Sequence, residues 1–523
     1  MAPSITAASG LAARHFSVAD SLARLAASIR VGGAPLAQAS ESVTLSQGSI
    51  AASAATATAR GALPVSYVNN VKPTSDKAVN AVIAGGNAWW NTGVGADGAS
   101  PAASADHTLT YSFRASGAGL GAMDGNGFQA LTDPQKEVIR DALEYIATIA
   151  NLAFTEDAGG GGQLQFGSNA QASSAAYAYY PNQGSQGGDV YLANNVATFT
   201  NAASWDKGGY EWETIVHEIG HALGLKHPGN YNAGGGGTTG PYLSKSLDNR
   251  TNSLMSYNND AKTAHLVKNN GAGGLTSGYV NPDSFQILDI AALQYLYGAA
   301  QTASATTYAF EDDDVFSRTI YDANAGSRID LSGMTRESVL DLRGGQRSSI
   351  GLRDAYADSG LTKAQYAAAT SGGVKLSKLI GTPTYTGAAN LGLARGSQIR
   401  TAVGGSGADT FISGAEIGGA ASLDGGAGSD RFFIASGDAA VNDATGLADA
   451  VYVVKKSGTA WTVSADRSTL TQTNTKTGAT LATVSLSGIE SVGYWNGKVA
   501  KAAGKPLFAA AAQPLATRVD ATA

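Results

Sequence analysis

Thr214 to Asn232 reads TIVHEIGHALGLKHPGNYN, and His217, Glu218, His221, Gly224 and His227 stand in it as H-E-x-x-H-x-x-G-x-x-H. On a helix, His217 and His221 are four apart and leave the same face about one turn from each other. Glu218 sits beside the first histidine, where its carboxylate reaches a water at a metal without being a ligand. Gly224 can take the left-handed conformation that ends a helix, and the chain then doubles back to bring in His227 as a third nitrogen. Three neutral imidazoles leave one position open on zinc, as a catalytic rather than a structural centre requires. The chain has only six histidines in 523 residues, and three of them are here. A helix whose histidines are merely satisfied core residues is the weaker reading.

Downstream, Ser253-Leu254-Met255-Ser256-Tyr257 is a tight segment carrying a methionine, the turn expected after the long zinc motif. Together with Pro228, directly after the third histidine, these residues resemble the serralysin-like metzincin zinc endopeptidases, secreted metalloproteases with glycine-rich, calcium-binding (RTX-type) C-terminal halves. The similarity extends to LTYSF (Leu109 to Phe113), AYAYYP (Ala176 to Pro181), GDVYL (Gly188 to Leu192) and DIAALQYLYG (Asp289 to Gly298). It covers the middle of the chain almost continuously and thins out towards both ends. Asn230 departs from the family, which usually has an acidic residue there. The resemblance implies one catalytic Zn2+ on His217, His221 and His227, with Glu218 as general base. It also implies Tyr257 as an additional, displaceable zinc ligand that donates a hydrogen bond to the developing oxyanion. Met255 would form an apolar floor below the metal without being a ligand.

The composition is low in charge (15%) and rich in glycine (67 residues), unlike a highly charged disordered chain. A net charge of −6 without a Lys/Arg cluster argues against a nucleic-acid partner. There is no cysteine, hence no disulfide, no thiolate metal site and no thiol nucleophile. The opening residues, MAPSITAASGLAARHFSVAD, lack the basic region and continuous apolar run of a cleavable signal peptide. The longest apolar candidate, Pro506 to Ala516, is too short for a membrane helix and is broken by proline, so an integral membrane protein is not expected. Taken alone, these absences read as cytoplasmic. The resemblance implies the opposite: a secreted, extracellular protein exported by a type I transporter through an uncleaved C-terminal signal. A monomer acting on protein or peptide substrates is expected.

The length predicts two or three domains. Residues 1–64 are rich in Ala and Ser and carry a candidate helix at Val18 to Ile29. They read as a solvated arm, a helical appendage or a propeptide, and the resemblance favours a propeptide of a zymogen. His15, alone in that segment, is a weak candidate for a latency ligand. Residues 65–298 read as the catalytic domain. Thr132-Asp133-Pro134-Gln135 has the form of a capping box, and Val138, Ile139, Ala142, Leu143, Ile146 and Ile149 follow with helical spacing. Leu109 to Phe113, Leu164 to Phe166, Ala176 to Tyr180 and Val190 to Leu192 read as strands of a sheet over that helix. The resemblance places the Ala176 to Tyr180 strand at the upper edge of a cleft. His107 and His265 are not spaced for the metal and read as surface or satisfied histidines. Gly234 to Gly240 reads as a loop, and Asp289 to Gly298 as the closing helix.

Residues 299–523 switch to short strands and turn signals, an all-β domain. Gly404 to Ile412 (GGSGADTFI) and Gly425 to Phe433 (GGAGSDRFF) each fit G-G-x-G-x-D-x-apolar-x, the repeat of a short calcium-binding parallel β-roll. Gly404, Gly405, Gly407, Gly425, Gly426 and Gly428 would let the turns expose carbonyl oxygens. Asp409 and Asp430 would add carboxylate oxygen for a few structural Ca2+ ions. Phe411 and Phe432 would point into the roll, with Asp409 and Asp430 one coil apart. The resemblance also places a calcium turn at Asp322 to Ser327, but its second aspartate and glycine pair are missing. A final β-module is expected at about Asp449 to Asn496. The competing reading of the whole is a calcium-dependent β-roll surface or adhesion protein with an inactive metzincin domain.

Overall fold

The computed structural model describes residues 65–91, 107–365 and 385–508 with short internal gaps. The 1–64 segment with its candidate helix and His15, the last residues of the tail, and part of the Gly234 to Gly240 loop lie outside the described residues.

The N-terminal half is built on a five-stranded sheet. Its strands are β1 (His107–Phe113), β2 (Leu152–Glu156), β3 (Leu164–Asn169), β4 (Ala176–Ala178) and β5 (Val190–Ala193), in the spatial order β2-β1-β3-β5-β4. All neighbours are parallel except β4, which runs antiparallel to β5 at the edge. The edge strand ends at Ala178, shorter than the Ala176 to Tyr180 run, because Tyr179 and Gly188 take over its pairing in the following turn. Helix α1 (Asp133–Ile149) opens as its capping box predicts, with the Thr132 N–H donating to Gln135 Oε1 (2.8 Å). It buries Ile139, Ala142, Leu143, Ile146 and Ile149. These pack in one core with sheet residues Leu109, Phe166 and Leu192 and with the two further helices, α2 (Tyr210–Ala222) and α3 (Ile287–Tyr297).

Of the two expectations for His107, surface or satisfied, the structure rules out the surface one. His107 is the first residue of β1, fully buried, with its ring edge-on to Tyr297 at 5.8 Å between centroids. His265 lies on the strand His265–Asn269.

The C-terminal half winds as a coil of two parallel sheets. One face stacks Arg328–Asp330, Thr401–Val403, Ala421–Asp424, Ala439–Asn442 and Thr480–Ser487. The other stacks Val339–Asp341, Thr410–Ser413, Arg431–Ile434, Ala450–Val454 and Ser491–Trp495. Phe411 and Phe432 are opposite in register, fully buried, and stacked at 5.1 Å in its interior. The stretch from Asp449 to Asn496 is no separate module: Ala450–Val454, Thr480–Ser487 and Ser491–Trp495 continue the two sheets. Only Thr459–Val463 and Thr469–Asn474 are added as antiparallel strands. The two halves meet through Arg318 on Asp283 (2.5 Å) and through the Thr319 N–H donating to Ser284 Oγ (2.8 Å). No described helix is long and apolar enough to cross a membrane.

Candidate metal centre

Helix α2 carries the centre and is buried from Glu211 to Ala222. Its C-terminal carbonyls are held from two sides: Trp89 Nε1 donates to Ala222 O (2.9 Å) and Tyr297 Oη to Leu223 O (2.7 Å). Gly224 follows at φ +98°, where a Cβ would collide with the Asn87 carbonyl oxygen. Beyond it the chain doubles back beside residues 82–84, with the Ala84 N–H donating to Gly224 O and the Lys226 N–H to Val82 O (2.8 and 2.7 Å). That reversal brings His227 against the two helical histidines.

The three rings converge. His217 Nε2 and His221 Nε2 each lie 3.1 Å from His227 Nε2. Every Nδ1 faces a backbone carbonyl: Leu254 O for His217 (3.0 Å), Leu225 O for His221 (2.8 Å) and Tyr231 O for His227 (3.1 Å). A carbonyl only accepts, so each Nδ1 carries the proton and each Nε2 presents a lone pair. Burial reinforces this, pushing His217 down to about 3 and His227 to about 4, and His221 well below its ordinary value. Three lone pairs at these distances repel one another unless a cation sits between them. The donor set therefore fits Zn2+, which takes neutral imidazole nitrogen and tolerates three protein ligands with one open position.

Glu218 is buried beside the ligands, and its Oε2 has no hydrogen-bond partner among the described residues. Burial pushes its carboxyl up to about 8. Met255 is fully buried under the helix. A Cβ on Gly220 would come within 2.9 Å of Met255 Sδ, so the small residue lets the methionine turn close against the helix. Tyr257 is 42% exposed, with its ring 4.4 Å from that of His227 and stacked on Tyr231 at 5.1 Å.

Three residues to which the sequence reading gave no part in the metal centre support this arrangement: Asp289, Asp248 and Tyr180. Buried Asp289 accepts from Ser253 Oγ (2.6 Å) and the Leu254 N–H (2.5 Å). It also accepts from the Gln286 N–H (2.9 Å), a second capping box whose Q-x-x-D form was present in the sequence. Asp248 accepts from Tyr231 Oη (2.6 Å), Ser256 Oγ (2.7 Å) and Asn258 Nδ2 (2.9 Å), fixing the turn that carries Tyr257. Tyr180, past the end of β4, sets its ring edge-on to His221 at 5.4 Å.

In the C-terminal coil the two glycine turns stack. Gly426 and Gly428, at φ +84° and +132°, sit against the carbonyl oxygens of Gly405 and Gly407 one coil earlier, where any Cβ would collide. Gly404 likewise lies under the Gly425 carbonyl. The aspartates form a ladder: Ser338 N–H donates to Asp409 Oδ1 (2.7 Å) and Asp409 N–H to Asp430 Oδ1 (2.6 Å). Asp409 and Asp430 are thus one coil apart on the same side, the coil here being 21 residues long. Asp322 is buried and accepts from Tyr308 Oη and the Asn324 N–H.

A long H-E-x-x-H-x-x-G-x-x-H helix seated on a buried methionine turn is the arrangement of a metzincin-type domain. Comparison with known proteins narrows the class: the chain is serralysin-like. It is 35% identical over 265 residues to the metallopeptidase AprA of Pseudomonas marginalis, covering 47% of this chain and 54% of that protein. It is 34% identical over 304 residues to the metalloprotease AprA of Pseudomonas entomophila, covering 54% and 59%. With serralysin C of Dickeya chrysanthemi it shares 30% over 318 residues, 55% of each chain. The chain spans about half the length of the curated relatives it matches. No family model matches it.

Proposed function

We propose that the chain is a secreted, zinc-dependent endopeptidase that hydrolyses peptide bonds in proteins, with Glu218 as general base. The observation that carries this reading is the convergence of three unprotonated Nε2 atoms beside a buried Glu218 oxygen without a hydrogen-bond partner. Zinc held by His217, His221 and His227 would polarise the scissile carbonyl and lower the pKa of a water molecule. Glu218 takes the proton from that water and passes it to the leaving amine. The Tyr257 hydroxyl donates a hydrogen bond to the developing oxyanion. Strand β4 is the sheet's outer edge on the side of His221, so an extended substrate can add to it as a further strand.

The glycine turns of the C-terminal coil serve as structural calcium sites through Asp409, Asp430 and the turn carbonyls. Export follows the type I route, with residues 1–64 removed on maturation. An adhesion protein with an inactive centre has no use for a buried Glu218 whose Oε2 has no hydrogen-bond partner among the described residues, an arrangement that costs stability. A casein zymogram tests the proposal. A cleared band is expected that a zinc chelator abolishes and added Zn2+ restores; clearing indifferent to the chelator, or none at all from the metal-loaded protein, contradicts it.

A further inference from the structure

The junction between the two halves holds more than the Arg318–Asp283 pair. Arg347 lies on the short strand Arg347–Ser348 of the C-terminal half, opposite Gly392 in an antiparallel pairing with Leu391–Leu393. Gly392 has no side chain to hold these strands away from α3. A Cβ there would collide with Thr319 Oγ1 and press on Ile287, the first residue of that helix. The close approach lets Arg347 reach the N-cap of α3. Its Nη2 donates to Gln286 Oε1 (2.9 Å), while its Nη1 donates to Ala389 O (3.3 Å) within its own half.

Gln286 is fully buried and uses both ends of its amide. Its Oε1 also accepts from Thr319 Oγ1 (3.2 Å), and its Nε2 donates to Ser284 O (2.8 Å). Its N–H donates to Asp289 Oδ2 (2.9 Å). The same Oδ2 accepts from the Leu254 N–H, and Leu254 O accepts from His217 Nδ1 (3.0 Å). An unbroken chain of contacts thus runs from Arg347 through Gln286, Asp289 and Leu254 to His217.

The charge of Arg347 acts along the same line. Burial raises the Asp289 carboxyl, and the bonds from Ser253, Gln286 and Leu254 pull the other way together with the positive field of Arg347. All three bonded partners donate to Asp289, so the arrangement suits its ionised form.

We propose that Arg347 is a positioning residue for the metal centre: from the C-terminal half it holds Gln286 and Asp289 in the geometry that orients the His217 imidazole. This is distinct from the docking of the halves as such. Arg318 crosses the same junction on Asp283, whose carbonyl accepts from Trp212 Nε1 in the first turn of α2 (2.9 Å) rather than from the methionine turn. The proposal rests on zinc at the three histidines and is independent of what the centre hydrolyses.

The test follows zinc release from the zinc-loaded full chain into a chromogenic chelator, with thermal melting in parallel. Arg347→Gln removes the charge and the guanidinium fork. An outer partner of a metal-binding histidine changes metal affinity by about 10- to 100-fold, and Arg347 acts from further out, so release about three- to tenfold faster is expected. Arg347→Gln added to Asp289→Asn should release zinc no faster than Asp289→Asn alone, because the two act on one route. Arg318→Gln should lower the melting temperature by loosening the junction, yet leave zinc release at the parent's rate. Arg347→Lys keeps the charge without the planar fork and should release zinc at a rate between those of the parent and Arg347→Gln.

Unchanged release in Arg347→Gln overturns the proposal. So does equal acceleration in Arg318→Gln, which would make the effect one of docking in general. So does an effect of Arg347→Gln that simply adds to that of Asp289→Asn. Should Arg347→Gln fail to fold, release from Arg347→Lys as slow as the parent's overturns it instead. A parent that binds no zinc overturns this proposal together with the metal centre, while a negative zymogram with the expected release rates touches only the protease reading.

Discussion

The Asp289 carboxylate and the Ser253 hydroxyl lie 2.6 Å apart, both fully buried, and this contact ties the methionine turn to the last helix of the N-terminal half. The second oxygen of Asp289 accepts from the Leu254 N–H, and the carbonyl of the same Leu254 accepts from His217 Nδ1. One carboxylate thus orients the His217 imidazole of the candidate metal centre through a single residue. It is also buried enough that its pKa rises to about 6.

Replacing Asp289 with Ala strands one hydroxyl and two backbone N–H groups in the core. We expect a loss of about 3 kcal/mol or more in stability, and weaker zinc retention. Thermal melting with zinc analysis checks this; an unchanged melting temperature and metal content would mean the turn is held by other contacts.

Gly224→Ala places a Cβ at φ +98° against the Asn87 carbonyl. The strained backbone and the collision must both be relieved by moving the segment that delivers His227, so a cost of about 2 kcal/mol or more is expected. Zinc affinity should fall with stability. A variant as stable as the parent, with full metal, would show that the reversal after α2 tolerates a side chain.

How much of this was legible in the sequence depends on the range of the interaction. The metal-binding helix, the glycine after it and the Thr132–Gln135 cap are local, and spacing alone places them. For His107 the reading left surface and satisfied open, and the alternation of His107, Leu109 and Tyr111 onto one buried face of β1 is what selects the second. The link from Asp289 to the methionine turn spans 36 residues and leaves no periodic trace. The Arg347 position was illegible for another reason. It lies in the other half of the chain, and only the register that sets it opposite Gly392 brings it to Gln286.

Glu213, buried in the first turn of α2, gives a pH signature. Burial pushes it up to about 7 from 4.5, against the pull of Arg250 at 3.2 Å. Its folded pKa lies above its unfolded one, so its contribution is fully present below about 4.5 and is lost as pH rises through 7. Between pH 5 and 8 the parent should lose on the order of 3 kcal/mol relative to Glu213→Gln, which does not titrate. Denaturant melts of both proteins at the two pH values check it. Parallel pH dependences would place the carboxylate in a better-solvated or better-paired setting.

Tyr257 stands beside His227, with its ring also stacked on Tyr231, and is partly exposed. Tyr257→Phe should lower kcat by about 100-fold with little change in KM, since in the proposed mechanism the hydroxyl acts on the oxyanion of the transition state. An effect confined to KM would make Tyr257 a substrate-binding residue.

The most direct measurement takes Glu218→Gln and determines turnover of a peptide substrate and zinc per chain on the same preparation. In the proposed mechanism three histidines hold the metal and Glu218 moves the proton, so hydrolysis should fall by at least about 1,000-fold while zinc stays near one per chain. Turnover within a few-fold of the parent, or a variant that has lost its zinc together with its activity, would contradict that division of labour.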